Sequence, residues 1–298
     1  MDIFRILLAS HHMHLPINWY VLRYLDSSSG SNPNCAKFRF VRFSIDRRIL
    51  ISRVHNFVIS RGNCRFPYQI MSRTITFSGL NWTVRDTSST TQGPGSNWWS
   101  NSTSNVWVDS NGWLHLKITK VGTKWLCPEV YTTGNYKYGT FNWKIEGPVT
   151  SPNGSFDKNV VLGLFTYPAA GGDGTNEIDV ELARWGNGSY PNLNFTSYPN
   201  TLLSDFKNHT KTTEMALNGN YTSHQFQWRN NNVSWVSRHG HSATGDIILS
   251  DSYNGDGNSQ RLPQQNCKVH MNLWLFEGLA PTDGVQVEFV IHSFTYTS

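Results

Sequence analysis

A series of short, strand-like stretches separated by turn residues constrains the fold of this 298-residue chain more than any other sequence feature. From Thr74 onward, β-branched and aromatic residues alternate with polar ones over a few positions at a time, which is typical of strands with one buried face. Gly, Asn, Asp and Pro fill the gaps and favour turns. No segment combines a sustained helical period with caps at both ends. We therefore predict strands at residues 75–80, 106–108, 113–121, 138–145, 160–166, 177–183, 194–198, 224–228, 233–237, 269–276 and 285–296.

The composition supports the same fold class. The chain has 12 Trp, 12 Tyr and 16 Phe, whereas charged residues make up only 15%. Bulky rings favour strands, and the long charged side chains that favour helices are few. Two antiparallel sheets packed face to face are the simplest way to bury so many short strands. We predict an all-β sandwich.

The net charge of +5 comes from one end of the chain. Residues 1–70 hold 10 Lys/Arg and 3 Asp/Glu, whereas residues 71–298 hold 15 and 17. Because residues 71–298 show no basic stripe that would follow a phosphate backbone, we expect no nucleic-acid partner. No apolar run reaches the length of about 18 residues that a membrane span requires, so we also expect no membrane span. We expect a monomer.

Residues 1–70 differ in character from the rest, and the sequence does not predict their fold. We interpret them as a basic N-terminal extension, a small pro-region, or an upstream stretch outside the mature protein, with Met71 as an alternative start. The first residues make a poor signal peptide, since Asp2 precedes the apolar stretch and Arg5 interrupts it. Eight Asn-x-Ser/Thr sequons favour export weakly, and we expect an extracellular or cell-wall location.

The four cysteines, Cys35, Cys64, Cys127 and Cys267, are too widely spaced for a zinc pattern. In an exported protein Cys127 and Cys267 are candidates for a disulfide. Two separate buried thiols are the equally open alternative.

The most informative segment places Glu177, Asp179 and Glu181 on one face of a strand, with apolar residues on the other face. Three acids in a row repel one another, so a function is needed to explain them. A retaining glycosidase needs two carboxyl groups about 5 to 5.5 Å apart. Residues four apart on a strand lie about 13 Å apart at the backbone, and two glutamate side chains leaning together close most of that gap. The alternatives are a calcium-binding face and a merely solvated acidic face.

The segment from Asn176 to Glu181 resembles the signature of glycoside hydrolase family 16, the laminarinase and lichenase-like group. Further similar pieces follow the same order along residues 75–298: Tyr138-Gly-Thr-Phe, Gly163-Leu-Phe-Thr-Tyr, His224-Gln-Phe-Gln-Trp and Met271-Asn-Leu-Trp. The resemblance implies a concanavalin A-like jelly roll over residues 71–298. It also implies that Glu177 is the nucleophile, Asp179 its partner and Glu181 the general acid/base.

Two stretches depart from the family pattern. Residues 235–240 lack the acid of the usual Asp-Gly turn, which puts the local turn in doubt rather than the chemistry. Residues 183–187 differ from typical laminarinases, which leaves the substrate less certain than the reaction.

Sugar-binding clefts combine aromatic platforms with polar side chains. Our candidates are Trp185, which shares the parity of the three acids if the strand continues, together with Trp125, Trp99 and Glu129. The resemblance implies that Glu129 faces the cleft. For Trp125 and Trp99, a place in the core is the competing interpretation. The histidines show no metal-binding spacing, so we expect no metal site and no cofactor, with a structural calcium left open.

The sequence therefore predicts a retaining hydrolase of β-glucan, with either β-1,3 or mixed β-1,3/1,4 linkages, acting on a polysaccharide. A cell-wall transglycosylase using the same site is one alternative. A non-catalytic, lectin-like carbohydrate-binding domain is the other.

Overall fold

A computed structural model of the protein describes residues 72–298 apart from 88–89, 149–155 and 173. It also describes the backbone of residues 19–25, 35–46 and 49–60. The chain divides into two compact units, Met1–Ile70 and Met71–Ser298. In the first unit the described backbone forms an antiparallel sheet of β1 (Trp19–Leu25), β2 (Cys35–Asp46) and β3 (Ile49–Ser60).

The described part of the second unit consists almost entirely of strands. They are β4 (Arg73–Phe77), β5 (Leu80–Val84), β6 (Trp98–Trp99), β7 (Val106–Val108), β8 (Leu114–Val121), β9 (Lys124–Cys127), β10 (Glu129–Thr132), β11 (Gly139–Glu146), β12 (Val160–Pro168), β13 (Ile178–Leu182), β14 (Leu193–Ser197), β15 (His209–Thr213), β16 (Tyr221–Arg229), β17 (Asn232–His239), β18 (Ile247–Tyr253), β19 (Cys267–Leu275) and β20 (Val287–Thr297). Short 3-10 turns occur at Gly255–Gly257, Ser259–Arg261 and Phe276–Gly278. None of these described turns has the length and apolar character of a membrane-spanning helix.

The strands of the second unit form two sheets. One has eight strands in the order β15-β14-β13-β12-β19-β10-β5-β4, and the other has nine in the order β18-β17-β16-β11-β20-β8-β9-β6, with β7 paired to β8. Every described pair is antiparallel except β6 with β9, which is parallel. The inward-facing side chains of the two sheets form one apolar core whose largest members include Trp82, Trp143, Trp228, Phe141 and Phe226. The predicted sandwich of two antiparallel sheets is confirmed.

One predicted strand corresponds to parts of two strands in the structure. Residues 75–80 do not form one strand, because Ser78 (φ 49°) and Gly79 (φ 75°) have left-handed backbone and turn β4 back into β5. Two left-handed residues in succession make the tight hairpin turn whose twist suits antiparallel strands. The prediction also missed β6, β9, β10, β15 and β18.

Candidate active site

The three acids of the central motif face one cleft on the outer surface of the eight-stranded sheet. Asp179 and Glu181 lie on β13, and Glu177 directly precedes its first residue. The alternate residues Ile178, Val180 and Leu182 are buried in the core, which turns the acids outward. The cleft has a volume of about 820 Å³ and is lined by all three acids.

The neighbouring strands give each acid a distinct setting. Glu181 lies between Gly163 of β12 and Asn194 of β14. Asp179 lies between bulkier neighbours, Phe165 of β12 and Thr196 of β14, and is only 3% exposed. The central acid is therefore shut away from solvent.

Asn176 anchors the chain immediately before Glu177. It is fully buried with a left-handed backbone (φ 57°), a conformation that asparagine tolerates better than most residues. Its side-chain oxygen accepts from the backbone N–H groups of Gln264 (2.8 Å) and Gln265 (3.2 Å), and its Nδ2 donates to the Asn200 carbonyl at 2.9 Å. Two separate chain segments, at Asn200 and at Gln264–Gln265, thus fix the start of β13.

The electrostatics of the cleft raise the pKa values of all three acids of the motif. Burial, and then the charge of Glu177, raise the pKa of Glu181 from 4.5 to about 8. Burial raises the pKa of Glu177 to about 7, with a hydrogen bond from Asp179 opposing the shift and the charge of Glu129 adding to it. The pKa of Asp179 also lies well above its usual range, because of burial and then its two glutamate neighbours. Close, desolvated carboxyl groups cannot all ionise together.

Glu129 has the opposite character, although it too is buried. Burial alone would raise its pKa, but a hydrogen bond from His270 and the charges of His270 and Arg85 outweigh this effect and lower it. One carboxylate oxygen lies 3.0 Å from His270 Nδ1 and the other 2.7 Å from Arg85 Nη1. The strand β10, in the same cross-strand row as Glu181, therefore carries a paired, ionised carboxylate.

Of the predicted sugar-binding residues, Trp185 and Glu129 line the cleft. Trp185 is not held there by strand parity, since β13 ends at Leu182 and Trp185 has a left-handed backbone (φ 51°). Its ring packs against Trp274 and Phe276, with centroids 6.2 and 6.0 Å apart.

Of the other two candidates, neither Trp125 nor Trp99 is among the residues that line the cleft. Trp99 is only 2% exposed and belongs to the core, where it supports the cleft indirectly because the Arg85 guanidinium lies 4.3 Å above its ring. Trp125 lies on β9 of the nine-stranded sheet and packs against the core.

Sequence reasoning missed most of the cleft floor. Cross-strand pairing of β10, β12 and β19 brings together Tyr131, Phe165, His270, Asn272 and Trp274. Each has the outward parity of its strand, which the alternation of the sequence indicates. The order of the strands in the sheet, which the sequence does not reveal, makes them neighbours.

Cys127 and Cys267 are separate buried thiols, so the disulfide alternative is wrong. Cys267 lies behind the cleft and donates from Sγ to the Asn176 carbonyl at 3.2 Å. Burial, and then the charge of Glu177, raise the pKa of its thiol to about 12. Among the residues that the structure describes, no cluster of three or more His, Cys, Asp or Glu side chains is arranged to bind a metal ion.

No protein-family model and no curated protein matches the sequence. Solved structures do match in fold. A β-glucanase of Bacillus licheniformis is 21% identical with a TM-score of 0.53, over 75% of this chain and 94% of that one. A β-1,3-glucanase from Mycobacterium marinum is 15% identical with a TM-score of 0.52, over 72% and 90%. An immunostimulatory antigen of Mycobacterium tuberculosis, described as a pseudo β-1,3-glucanase, is 16% identical with a TM-score of 0.52, over 73% and 91%.

These likenesses confirm the fold that the sequence motif implied. The second unit has the jelly-roll fold of these β-glucanases.

Proposed function

We propose that this protein is a retaining glycoside hydrolase that cleaves β-glucan with β-1,3 or mixed β-1,3/1,4 linkages. The observation that carries the proposal is the pair of glutamates that face one cleft, Glu177 immediately before β13 and Glu181 on it, with the buried Asp179 between them. The raised pKa of Glu181, about 8, keeps that carboxyl protonated at neutral pH, as a general acid must be.

In the proposed first step, Glu177 attacks the anomeric carbon and forms a glycosyl ester. The bond from that carbon to the leaving oxygen breaks, and Glu181 gives its proton to this oxygen. In the second step Glu181, now ionised, takes a proton from water, and the water oxygen displaces Glu177 from the sugar. Two inversions give net retention of configuration.

Asp179 adjusts the charge on this pair. It shares a hydrogen bond with Glu177, which lowers the pKa of the proposed nucleophile against the effect of burial. Loss of the proton from Glu177, with Glu181 still protonated, creates the active form. The lower of the two glutamate pKa values belongs to Glu177, which agrees with these roles.

The walls of the cleft suit a neutral sugar chain. Trp185 and Trp274 offer ring surfaces to the apolar faces of pyranoses, and asparagine and threonine side chains offer hydrogen bonds. Arg85, the one Lys or Arg side chain among the residues that line the cleft, is engaged by Glu129. An acidic polysaccharide would therefore meet uncompensated negative charge.

Reducing-sugar release from a panel of β-1,3, mixed β-1,3/1,4 and β-1,4 glucans tests the proposal. We expect activity on the first or second group, and a loss of at least about 1,000-fold in Glu177→Gln and Glu181→Gln. With a dinitrophenyl glycoside, whose leaving group needs no proton, Glu181→Gln should form the glycosyl-enzyme as fast as wild type, while Glu177→Gln stays inactive. Full turnover by Glu177→Gln on glucan would overturn the assignment.

Glycan binding without cleavage is the second candidate function. It is favoured by the likeness to a pseudo β-1,3-glucanase, whose fold is equally similar. Tight binding of glucan with no bond cleavage over days, unchanged in Glu181→Gln, would support it over the hydrolase. Product lengths distinguish hydrolysis from transfer to a second sugar.

We also propose that the protein acts outside the cell or in the cell wall, where polymeric glucan is met. Mass spectrometry of the native mature protein, which reads its N-terminus and its attached glycans, tests this location. An unglycosylated chain that retains Met1 would contradict it.

A further inference from the structure

His270 occupies the floor of the cleft in an unusually constrained setting. Its imidazole lies between two rings in near-parallel stacks, Tyr131 at 5.2 Å and Phe165 at 5.0 Å, and Tyr167 meets it edge-on at 5.9 Å. The side chain is only 12% exposed. The aromatic neighbours therefore leave the imidazole one orientation.

Glu129 determines that Nδ1 of His270 carries a proton. Since Glu129 is held ionised, its oxygens only accept hydrogen bonds, so the imidazole Nδ1, 3.0 Å away, must carry a proton. Arg85 holds the other oxygen of Glu129, and donates in turn to the Gly93 carbonyl at 2.9 Å. The chain Arg85–Glu129–His270 is thus assembled before any ligand arrives.

This arrangement leaves Nε2 as the imidazole nitrogen that faces the cleft without a partner. Among the residues that the structure describes, none is hydrogen-bonded to this nitrogen, and His270 lines the cleft. A ring nitrogen that a sugar covers without giving it a partner would be costly, whereas a sugar hydroxyl can form a hydrogen bond with it.

The position of His270 in the sheet indicates which sugar it meets. Phe165 pairs with Asp179 on one side and with His270 on the other, so the three residues form a row across β13, β12 and β19. Neighbouring strands are about 4.8 Å apart, which puts His270 about 10 Å from Asp179 at the backbone. That distance reaches beyond the sugar under attack to its neighbour in the chain.

We propose that His270 is a substrate-binding residue that forms a hydrogen bond through Nε2 with a hydroxyl of the glucose unit next to the one attacked, with Glu129 and Arg85 as positioning residues. This inference rests on the proposed function and identifies a contact by which the same cleft would select its glycan. The contact would favour glucans whose linkage leaves that hydroxyl free.

The test is direct binding of a β-1,3-linked glucose hexasaccharide and a mixed-linked glucose tetrasaccharide, measured by calorimetry on the full chain. Glu177→Gln is the background, so that no turnover disturbs the measurement. Two substitutions are added to this background. In His270→Asn the side-chain amide takes the place of Nδ1 and still donates to Glu129, but no atom replaces Nε2. In His270→Gln the longer side chain brings its amide to the position of Nε2.

His292→Asn is the matched control. His292 is also 12% exposed, stacks on a ring (Trp113, 3.8 Å) and bonds a glutamate (Glu146, 2.9 Å), but it lies on β20 in the other sheet. His292→Asn therefore removes the same side-chain atoms as His270→Asn, but at a position outside the cleft.

We expect His270→Asn to weaken binding of the better oligosaccharide about tenfold, His270→Gln to recover part of this loss, and His292→Asn to bind like the background. A monodeoxy oligosaccharide lacking the contacted hydroxyl should bind the background and His270→Asn equally. Unchanged binding in a folded His270→Asn variant would overturn this inference alone. If the Glu177→Gln background binds neither oligosaccharide, the glucan specificity itself fails, and the role of His270 falls with it.

Discussion

Glu181 faces Gly163 across the pair of strands β12 and β13, so the strand beside the candidate general acid presents no side chain to it. A Cβ atom at position 163 would lie 2.5 Å from the side-chain oxygen of Asn272 on the next strand, β19. Asn272, only 3% exposed, therefore leans over the glycine toward Glu181. The absence of a side chain at this position lets an amide and a carboxyl group share one end of the cleft.

Gly163→Ala should accordingly damage the site more than its size suggests. The added methyl group must displace Asn272, since a contact of 2.5 Å is far inside the van der Waals distance. We expect a loss of about 1 to 3 kcal/mol in the free energy of unfolding and about tenfold or more in kcat/KM on glucan. Gly188→Ala is the control, because a Cβ there meets nothing within 4 Å. Wild-type kinetics in Gly163→Ala would show that activity does not depend on the position of the Asn272 side chain.

The activity should have a narrow pH optimum between about 7 and 8. Glu177 must be ionised and Glu181 protonated, and their pKa values are raised to about 7 and about 8. The profile of kcat/KM should therefore fall on both sides, about tenfold per pH unit, with limbs that belong to the coupled pair. With a dinitrophenyl glycoside the alkaline limb should shrink, because the leaving group needs no proton. A flat profile from pH 5 to 9 would contradict these assignments.

Removing the acid should stabilise the protein at neutral pH. Between pH 4.5 and about 8 the native state keeps a proton on Glu181 that the unfolded chain has lost. Stability therefore falls as the pH rises through this window. Glu181→Gln has no group that titrates at this position, so its stability does not fall in this way. In thermal unfolding its Tm should exceed that of wild type by about 2 °C or more at pH 8, and should show no such increase at pH 4.

Glu277→Gln, at an exposed position, is the control for this comparison and should change Tm little at either pH. A Tm difference between wild type and Glu181→Gln that does not vary with pH would mean that Glu181 titrates normally in the folded protein.

The thiols of Cys127 and Cys267 should be inert in the folded protein. Both are buried, and burial raises the pKa of each thiol well above neutral, so almost no thiolate is available. Brief treatment with iodoacetamide, followed by peptide mapping, should leave both unmodified in the native state and modify both after unfolding in denaturant. A disulfide-linked pair of peptides would contradict the structure.

Much of the candidate site could be predicted because one strand carries it. The alternation of acidic and apolar residues in β13 sets which side chains face outward, and this holds whichever strands lie beside it. Trp185 also lines the cleft, but the alternation of residues along the strand does not explain why. The strand ends before it, and a left-handed turn at Trp185 and Gly186 directs the chain.

The rest of the site depends on contacts between distant segments. Trp99 is buried because β6 pairs in parallel with β9, a relation that no local pattern records. His270 belongs to no motif, and it becomes a candidate only once β19 is known to lie between β10 and β12. The order of strands in a sheet is fixed by packing across the whole domain, so single-strand patterns cannot reveal it.

The anchoring of Asn176 bears on how quickly the cleft can work. Because the residue before Glu177 is tied to two other segments, much of the entropy of orienting this carboxyl group is lost during folding and not again at each turnover. A loop-borne nucleophile would have to be captured anew by each arriving sugar. Here the backbone that carries the carboxyl group is already held in place when the glycan arrives.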